Sequence, residues 1–246
     1  MKRIIVEDYE EMSSRAVEIL EQQVSEDAHS VLGLATGSTP LGLYARMIEG
    51  HQKRGVSYEH VQTINLDEYR GINKNHPNSY RTFMFENLFK HLDISMGHTY
   101  IPNGQAHSVE EECQRYEALI DRIGPIDLQI LGMGTNGHIG FNEPGTAENS
   151  LTHCIELDES TRKNNARFFE SLEEVPTHAI TMGIASILKS KKILLLASGE
   201  KKAQAVKTLL DRNISEQFPA SFLWKHEDVT LIVDRDAYQL VEAERL

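Results

Sequence analysis

The sequence predicts an α/β fold: a single-domain, mostly parallel Rossmann-like sheet with helices on both faces. Three observations predict it. Short β-branched or leucine-rich runs alternate with longer amphipathic stretches, the pattern of successive βα units. A chain of 246 residues, 40% hydrophobic, can bury one substantial core. No low-complexity tract or Pro/Gly/Ser-rich linker divides it, so residues 1–246 are read as one domain.

Taken in order, the β-branched run Arg3 to Val6 is the first expected strand. Tyr9 to Val24 follows as a helix, with Met12, Ala16, Val17, Leu20 and Val24 at three- and four-residue steps. Ser30 to Ala35 is a second strand and Pro40 to Lys53 a second helix, with proline suited to a first turn. Further strands are expected at Val61 to Leu66, Thr99 to Ile101, Ile126 to Met133, His153 to Leu157, Lys192 to Ala197 and Val229 to Val233. Further helices are expected at Asn78 to Phe89, Val109 to Ile123, Ala179 to Ser190 and Lys201 to Leu210.

Composition narrows the function. Lys+Arg 25 against Asp+Glu 37 gives a net charge of -12, which repels nucleic acid and anionic membrane, so any anionic ligand must be caught locally. Two cysteines, Cys113 and Cys154, are too few for a disulfide scaffold, and the N-terminus has no signal-peptide pattern. The cytoplasm is therefore the expected compartment. No apolar run approaches the roughly 20 residues needed to span a bilayer.

Ligands of open α/β sheets bind beyond the carboxyl ends of the strands. Three predicted loops stand there. In Gly33 to Pro40, the backbone together with Thr36, Gly37, Ser38 and Thr39 suits a phosphate at a helix N-terminus. A plain turn with Ser38 or Thr39 capping the helix accounts for these residues equally well. The Walker lysine pattern is missing, which disfavours a nucleotide. In Asn65 to Tyr69, Asp67 and Glu68 are either a desolvated base or a solvated acidic turn, and taken alone the turn is the better reading.

The third loop, Leu131 to Gly145, contains a G-x-G-x-x-G string but lacks its context. Gly137, Gly140, Asn142, Pro144 and Gly145 oppose the helix that a dinucleotide site requires. A bend there can pair His138 with Glu143 as acid and base, and the polar, flexible surroundings favour that over a structural histidine. A metal is disfavoured because no second His or Cys lies at ligand spacing. Arg167 and Lys202 are candidate phosphate cations. Lys202 in a helix's first turn opposes the dipole unless an anion is near, although Glu200 to Lys202 can also be an ordinary solvated face.

Gly33 to Pro40, Leu66 to Tyr69, Gly137-His138-Ile139-Gly140-Phe141-Asn142-Glu143-Pro144 and Arg162 to Phe169 occur in an order that resembles the glucosamine/galactosamine-6-phosphate isomerase family, in particular its glucosamine-6-phosphate deaminases. The resemblance spans nearly the whole chain, and the stretch from Gly137 to Pro144 is its most specific part. It implies isomerisation and deamination of glucosamine 6-phosphate to fructose 6-phosphate and ammonia, in amino-sugar and N-acetylglucosamine catabolism, with no redox cofactor or metal.

By the same resemblance His138, held by Glu143, handles the ring-opening proton. Asp67 takes the proton from carbon 2 and returns it to carbon 1 after ammonia leaves. Ser38, Thr39, Arg167 and Lys202 hold the phosphate. Asn136 departs from members that carry an aspartate there; it can orient but not ionise, so the relay should rest on Glu143. His153 and Ile155 stand where allosteric members carry basic residues, and the long C-terminal tail of those members is missing. A non-allosteric monomer is expected, with a homo-oligomer the alternative, and the segment from Ser150 to Val175 is the candidate lid. Three competing readings are a 6-phosphogluconolactonase-type hydrolase on the same fold, a non-catalytic sugar-phosphate sensor, and a nicotinamide oxidoreductase suggested by the glycine string.

Overall fold

The computed structural model describes residues 1–157, 159–166, 169 and 171–243. Among the described residues, seven strands form a parallel sheet in the order β1-β10-β9-β6-β2-β3-β5. They are β1 (Lys2–Val6), β2 (Val31–Leu34), β3 (Gln62–Asn65), β5 (Thr99–Tyr100), β6 (Leu128–Gly132), β9 (Ile193–Ala197) and β10 (Val229–Asp234). The helices are α1 (Tyr9–Glu26), α2 (Leu41–Glu49), α3 (Tyr80–Asn87), α4 (Val109–Ile123), α5 (Glu159–Asn165), α6 (Ile184–Leu188), α7 (Ala203–Leu210) and α8 (Arg235–Ala243).

Local chemistry starts the long helices where the sequence places them. The Asp8 carboxylate accepts from Glu11 N at 2.9 Å, with Glu10 and Glu11 in the first turn of α1. The Ser108 hydroxyl does the same for Glu111 N at 3.2 Å, ahead of Glu110, Glu111 and Glu112 in α4.

Alternation along the central strands then assigns the two faces. Leu194 and Leu196 of β9, Leu32 and Leu34 of β2 and Ile130 of β6 pack with Met12, Leu20, Leu43, Tyr44 and Met84 from α1, α2 and α3. Ile193, Leu195 and Ala197, with Leu131 and Leu231, pack with Tyr116, Ile120, Ile187, Val206 and Tyr238 from α4, α6, α7 and α8. The fold is thus the mostly parallel α/β sheet the sequence predicts, covered on both sides. No helix among the described residues is long and apolar enough to cross a membrane.

A second sheet was not expected. Beside the main sheet stands a three-stranded antiparallel one, ordered β4-β8-β7, made of β4 (Asp67–Tyr69), β7 (His153–Glu156) and β8 (His178–Thr181). Asp67 therefore opens a strand and does not sit in a loop. The predicted helix Ala179 to Ser190 is also overturned: its first residues are β8, and only Ile184–Leu188 is helical. Gly183 separates the two. A side chain there would lie 2.1 Å from the Ser150 carbonyl oxygen, so the backbones of two segments meet at that point. Two helix starts shift as well: Pro40 sits at the N-cap of α2, and Glu200–Lys202 form a short 3-10 turn before α7.

Candidate active site

The chain leaves β2 for β3 on one side and β6 for β9 on the other, so the loops after β2 and β6 diverge at a topological switch point. The loop after β2 is Ala35 to Thr39. Gly37 adopts φ 88°, the left-handed region, with nothing within 4 Å of where a side chain would project. The Tyr9 hydroxyl lies 3.0 Å from Ser38 O and 3.1 Å from Thr39 O, and it accepts from Gly42 N at 2.8 Å, tying the loop to α1. Neither the Ser38 nor the Thr39 side chain caps α2, so the capping alternative is not what the structure holds. Of the first donors of α2, Leu41 N goes to Ser38 O at 3.4 Å and Gly42 N to the Tyr9 hydroxyl.

The loop after β6 comes alongside. A side chain at Gly132 would lie 3.6 Å from Thr39 Oγ1, and Lys202 Nζ donates to Met133 O at 2.6 Å. Burial lowers the proton affinity of Lys202. Thr39, Gly132, Met133 and Lys202 thus converge at one end of the crevice. Arg167, the other expected phosphate cation, lies outside the described residues.

From Gly134 onward the loop folds on itself, and no helix follows Gly137. Gly134 N donates to His138 O at 2.9 Å, and Gly137 N donates to Gly134 O at 3.0 Å. Gly137 has φ 84°, and the Phe218 ring occupies the space a side chain would need there. Ala220 N donates to Gly137 O at 2.8 Å, so the 3-10 turn Pro219–Lys225 backs the loop.

This bend sets His138 Nδ1 3.5 Å from Glu143 Oε2. Asn136 Nδ2 donates to the same carboxylate oxygen at 2.7 Å, and its Oδ1 accepts from His138 N at 3.2 Å. Asn136 thus orients both partners. Thr161 Oγ1 donates to Glu143 Oε1 at 2.7 Å. Burial opposes ionisation of Glu143, but the His138 ring, Thr161 and Asn136 outweigh it and hold the carboxyl below its usual range.

Asp67 faces the same loop from the small sheet. It pairs with Thr181, whose hydroxyl accepts from Phe141 N at 3.2 Å. A side chain at Gly140, where φ is 57°, would lie 3.5 Å from Asp67 Oδ2. Asp67 is buried, and burial, with the Glu68 charge adding to it, pushes its carboxyl up to about 8. Glu68 is buried as well and accepts from the backbone N–H groups of Tyr69, Tyr80 and Arg81. It is neither the expected solvated turn nor free for catalysis; it is occupied at the start of α3.

Two contributors escape sequence reading. Tyr80 hydrogen-bonds Thr36 in the first loop, meets the Tyr69 hydroxyl at 3.3 Å, and stacks on Phe141 with centroids 6.0 Å apart and planes 6° from parallel. Thr161 reaches Glu143 from α5. Nothing local in the sequence distinguishes either residue, because each meets its partner across chain separations that only the fold closes.

Residues 7–232 match the family model described as glucosamine-6-phosphate isomerases/6-phosphogluconolactonase. The chain is 55% identical over 245 residues to a glucosamine-6-phosphate deaminase of Geobacillus sp. (strain WCH70), covering 100% of this chain and 98% of the relative. It is 52% identical to that of Bacillus pumilus (strain SAFR-032), covering 98% and 100%. A solved monomeric glucosamine-6-phosphate deaminase superposes with a TM-score of 0.96 at 50% identity, covering 98% of this chain and 100% of the other. A 6-phosphogluconolactonase from Thermotoga maritima, 22% identical with a TM-score of 0.75 over 95% of this chain and 98% of its own, shares the fold.

Proposed function

The chain belongs to the glucosamine-6-phosphate isomerase/6-phosphogluconolactonase family, its reaction is glucosamine-6-phosphate deamination, and we propose how its residues divide the work. One observation carries the proposal: Asp67, a buried carboxyl with proton affinity raised to about 8, faces the loop that pairs His138 with Glu143. A carboxylate of that basicity is suited to taking a proton from carbon next to a carbonyl.

The phosphate is held by the backbone and hydroxyls of Thr36 to Thr39 with Lys202, and by Arg167. This fixes the sugar at its far end and directs binding energy to positioning. His138, oriented by Glu143 and Asn136, takes the carbon-1 hydroxyl proton and delivers it to the ring oxygen, opening the ring. Asp67 then takes the carbon-2 proton, and the electron pair moves toward the carbon-1 carbonyl, whose oxygen takes a proton from the carbon-2 ammonium, leaving a neutral enolamine. Return of the proton to carbon 1 leaves an imine at carbon 2. Water adds there and ammonia departs, giving fructose 6-phosphate. The proton thus returns before ammonia leaves, the reverse of the order that the resemblance suggests, because carbon 2 becomes open to water only as the imine. The substrate's cationic amine, arriving beside Asp67, favours its ionised form.

These steps consume one water, the sense in which the enzyme is a hydrolase, and none uses a metal or redox cofactor. We place the reaction in a single domain of a cytoplasmic monomer engaged in N-acetylglucosamine breakdown. The likeness to a monomeric relative and the net charge of -12 support that reading.

The test incubates the chain with glucosamine 6-phosphate in chelator-treated buffer and measures ammonia and fructose 6-phosphate, beside a parallel assay with 6-phosphogluconolactone. Equal release of both products, with the lactone untouched, is expected. Lactone hydrolysis without ammonia would transfer the chain to the hydrolase reading.

A further inference from the structure

We infer that Thr161 is a positioning residue that fixes the rotation of the Glu143 carboxylate and so determines how His138 is held. This rests on the proton-transfer role proposed for His138 and the orienting role proposed for Glu143. The backbone at Glu143 is already fixed: Thr146 N and Thr146 Oγ1 both donate to its carbonyl, at 3.0 and 2.7 Å. What remains free is rotation of the carboxylate itself. Asn136 donates to Oε2, the oxygen that faces His138 Nδ1. Oε1 accepts from Thr161 Oγ1 at 2.7 Å, a contact made from a separate element. With one donor on each oxygen the carboxylate plane is set, and Oε2 stays toward the imidazole.

The Thr161 hydroxyl is not needed to seat α5. The neighbouring Arg162 donates to Leu172 O at 3.1 Å and Val175 O at 3.2 Å, and Leu157 N donates to Thr177 O at 2.8 Å just ahead of the helix. Thr161 is itself buried at 7% exposure, so water does not readily replace its hydroxyl if it is removed. His138 Nδ1 is buried without a hydrogen bond in the described structure and has Glu143 as its charged neighbour at 3.5 Å. A small rotation of the carboxylate therefore decides whether that contact tightens when substrate arrives.

The experiment compares T161V, which keeps the shape and removes the hydroxyl, with T161S, E143Q and the double variant E143Q/T161V, using glucosamine 6-phosphate as substrate. T161V is expected to lower kcat about tenfold with KM within about twofold. It should also move the acid limb of kcat/KM upward, because Glu143 loses a donor that favours its ionised form. T161S should restore most of the rate, and adding T161V to E143Q should cost nothing further. Wild-type kcat and pH profile in T161V, or a further tenfold loss in the double variant, would overturn the inference while leaving Glu143 in its role. An E143Q enzyme with wild-type kcat would remove the reading of Glu143 and the inference with it. T161A, checked with T161V by circular dichroism, carries the same comparison should valine disturb α5.

Discussion

Asp67 and Thr181 pair across the small antiparallel sheet, and the Thr181 hydroxyl accepts from Phe141 N, so Asp67 and the His138 loop are held to one strand. Gly140 sits at this junction. At φ 57°, a side chain there would lie 3.0 Å from Thr181 Oγ1 and 3.5 Å from Asp67 Oδ2. G140A should therefore lose at least about tenfold in kcat, from displacement of the loop and strain of 1–2 kcal/mol order, about the cost of a left-handed non-glycine residue. Steady-state kinetics with a melting curve check it.

Asp67 links activity to stability with a definite sign. Its carboxyl is held at about 8 in the folded chain against an ordinary 3.8, so between those values the folded state binds more protons than the unfolded one. Its contribution to stability is fully present below pH 4 and is lost as pH rises toward 8. D67N removes this dependence. The variant should be more stable than wild type at pH 8, with the difference shrinking as the pH falls and vanishing near pH 4. Urea unfolding at the two pH values measures it.

Glu68 is the neighbouring charge that adds to the effect of burial on Asp67. E68Q should lower the pH at which kcat/KM rises, by up to about one unit. It should also destabilise the fold, because one amide oxygen replaces a carboxylate that accepts from three backbone donors. A pH profile unchanged in E68Q would assign the shift to burial alone.

Lys202 donates to Met133 O beside Thr39 and Gly132, at the end of the crevice where the phosphate is proposed to bind. K202M should raise KM about 10- to 100-fold, the worth of a charge-assisted hydrogen bond, with a smaller change in kcat. Inorganic phosphate should inhibit wild type more strongly than the variant.

How much of this was legible before folding follows from the range of each interaction. The parallel strands were readable because runs such as Ile193 to Ala197 are apolar on both faces, and α4 because Ser108 and three glutamates announce its start. The small sheet was not. Asp67 and Glu68 are poor strand formers, and His178 to Thr181 is too short for its period to be separated from the helix that follows Gly183. Within the site, Asn136, His138 and Glu143 lie in one loop and could be read together. Tyr80 against Phe141 and Thr161 against Glu143 could not, because no periodicity relates them and only closure of the second sheet and α5 makes them neighbours.

The most direct test of the central claim follows the carbon-2 proton. Glucosamine 6-phosphate deuterated at carbon 2 is turned over by wild type and by D67N, and the label in water, substrate and product is followed by NMR. Slower turnover of the labelled sugar by wild type, with deuterium passing to carbon 1 or to water, is predicted, together with neither label transfer nor ammonia from D67N. Label leaving carbon 2 at the wild-type rate in D67N would contradict the assignment of Asp67 as the base.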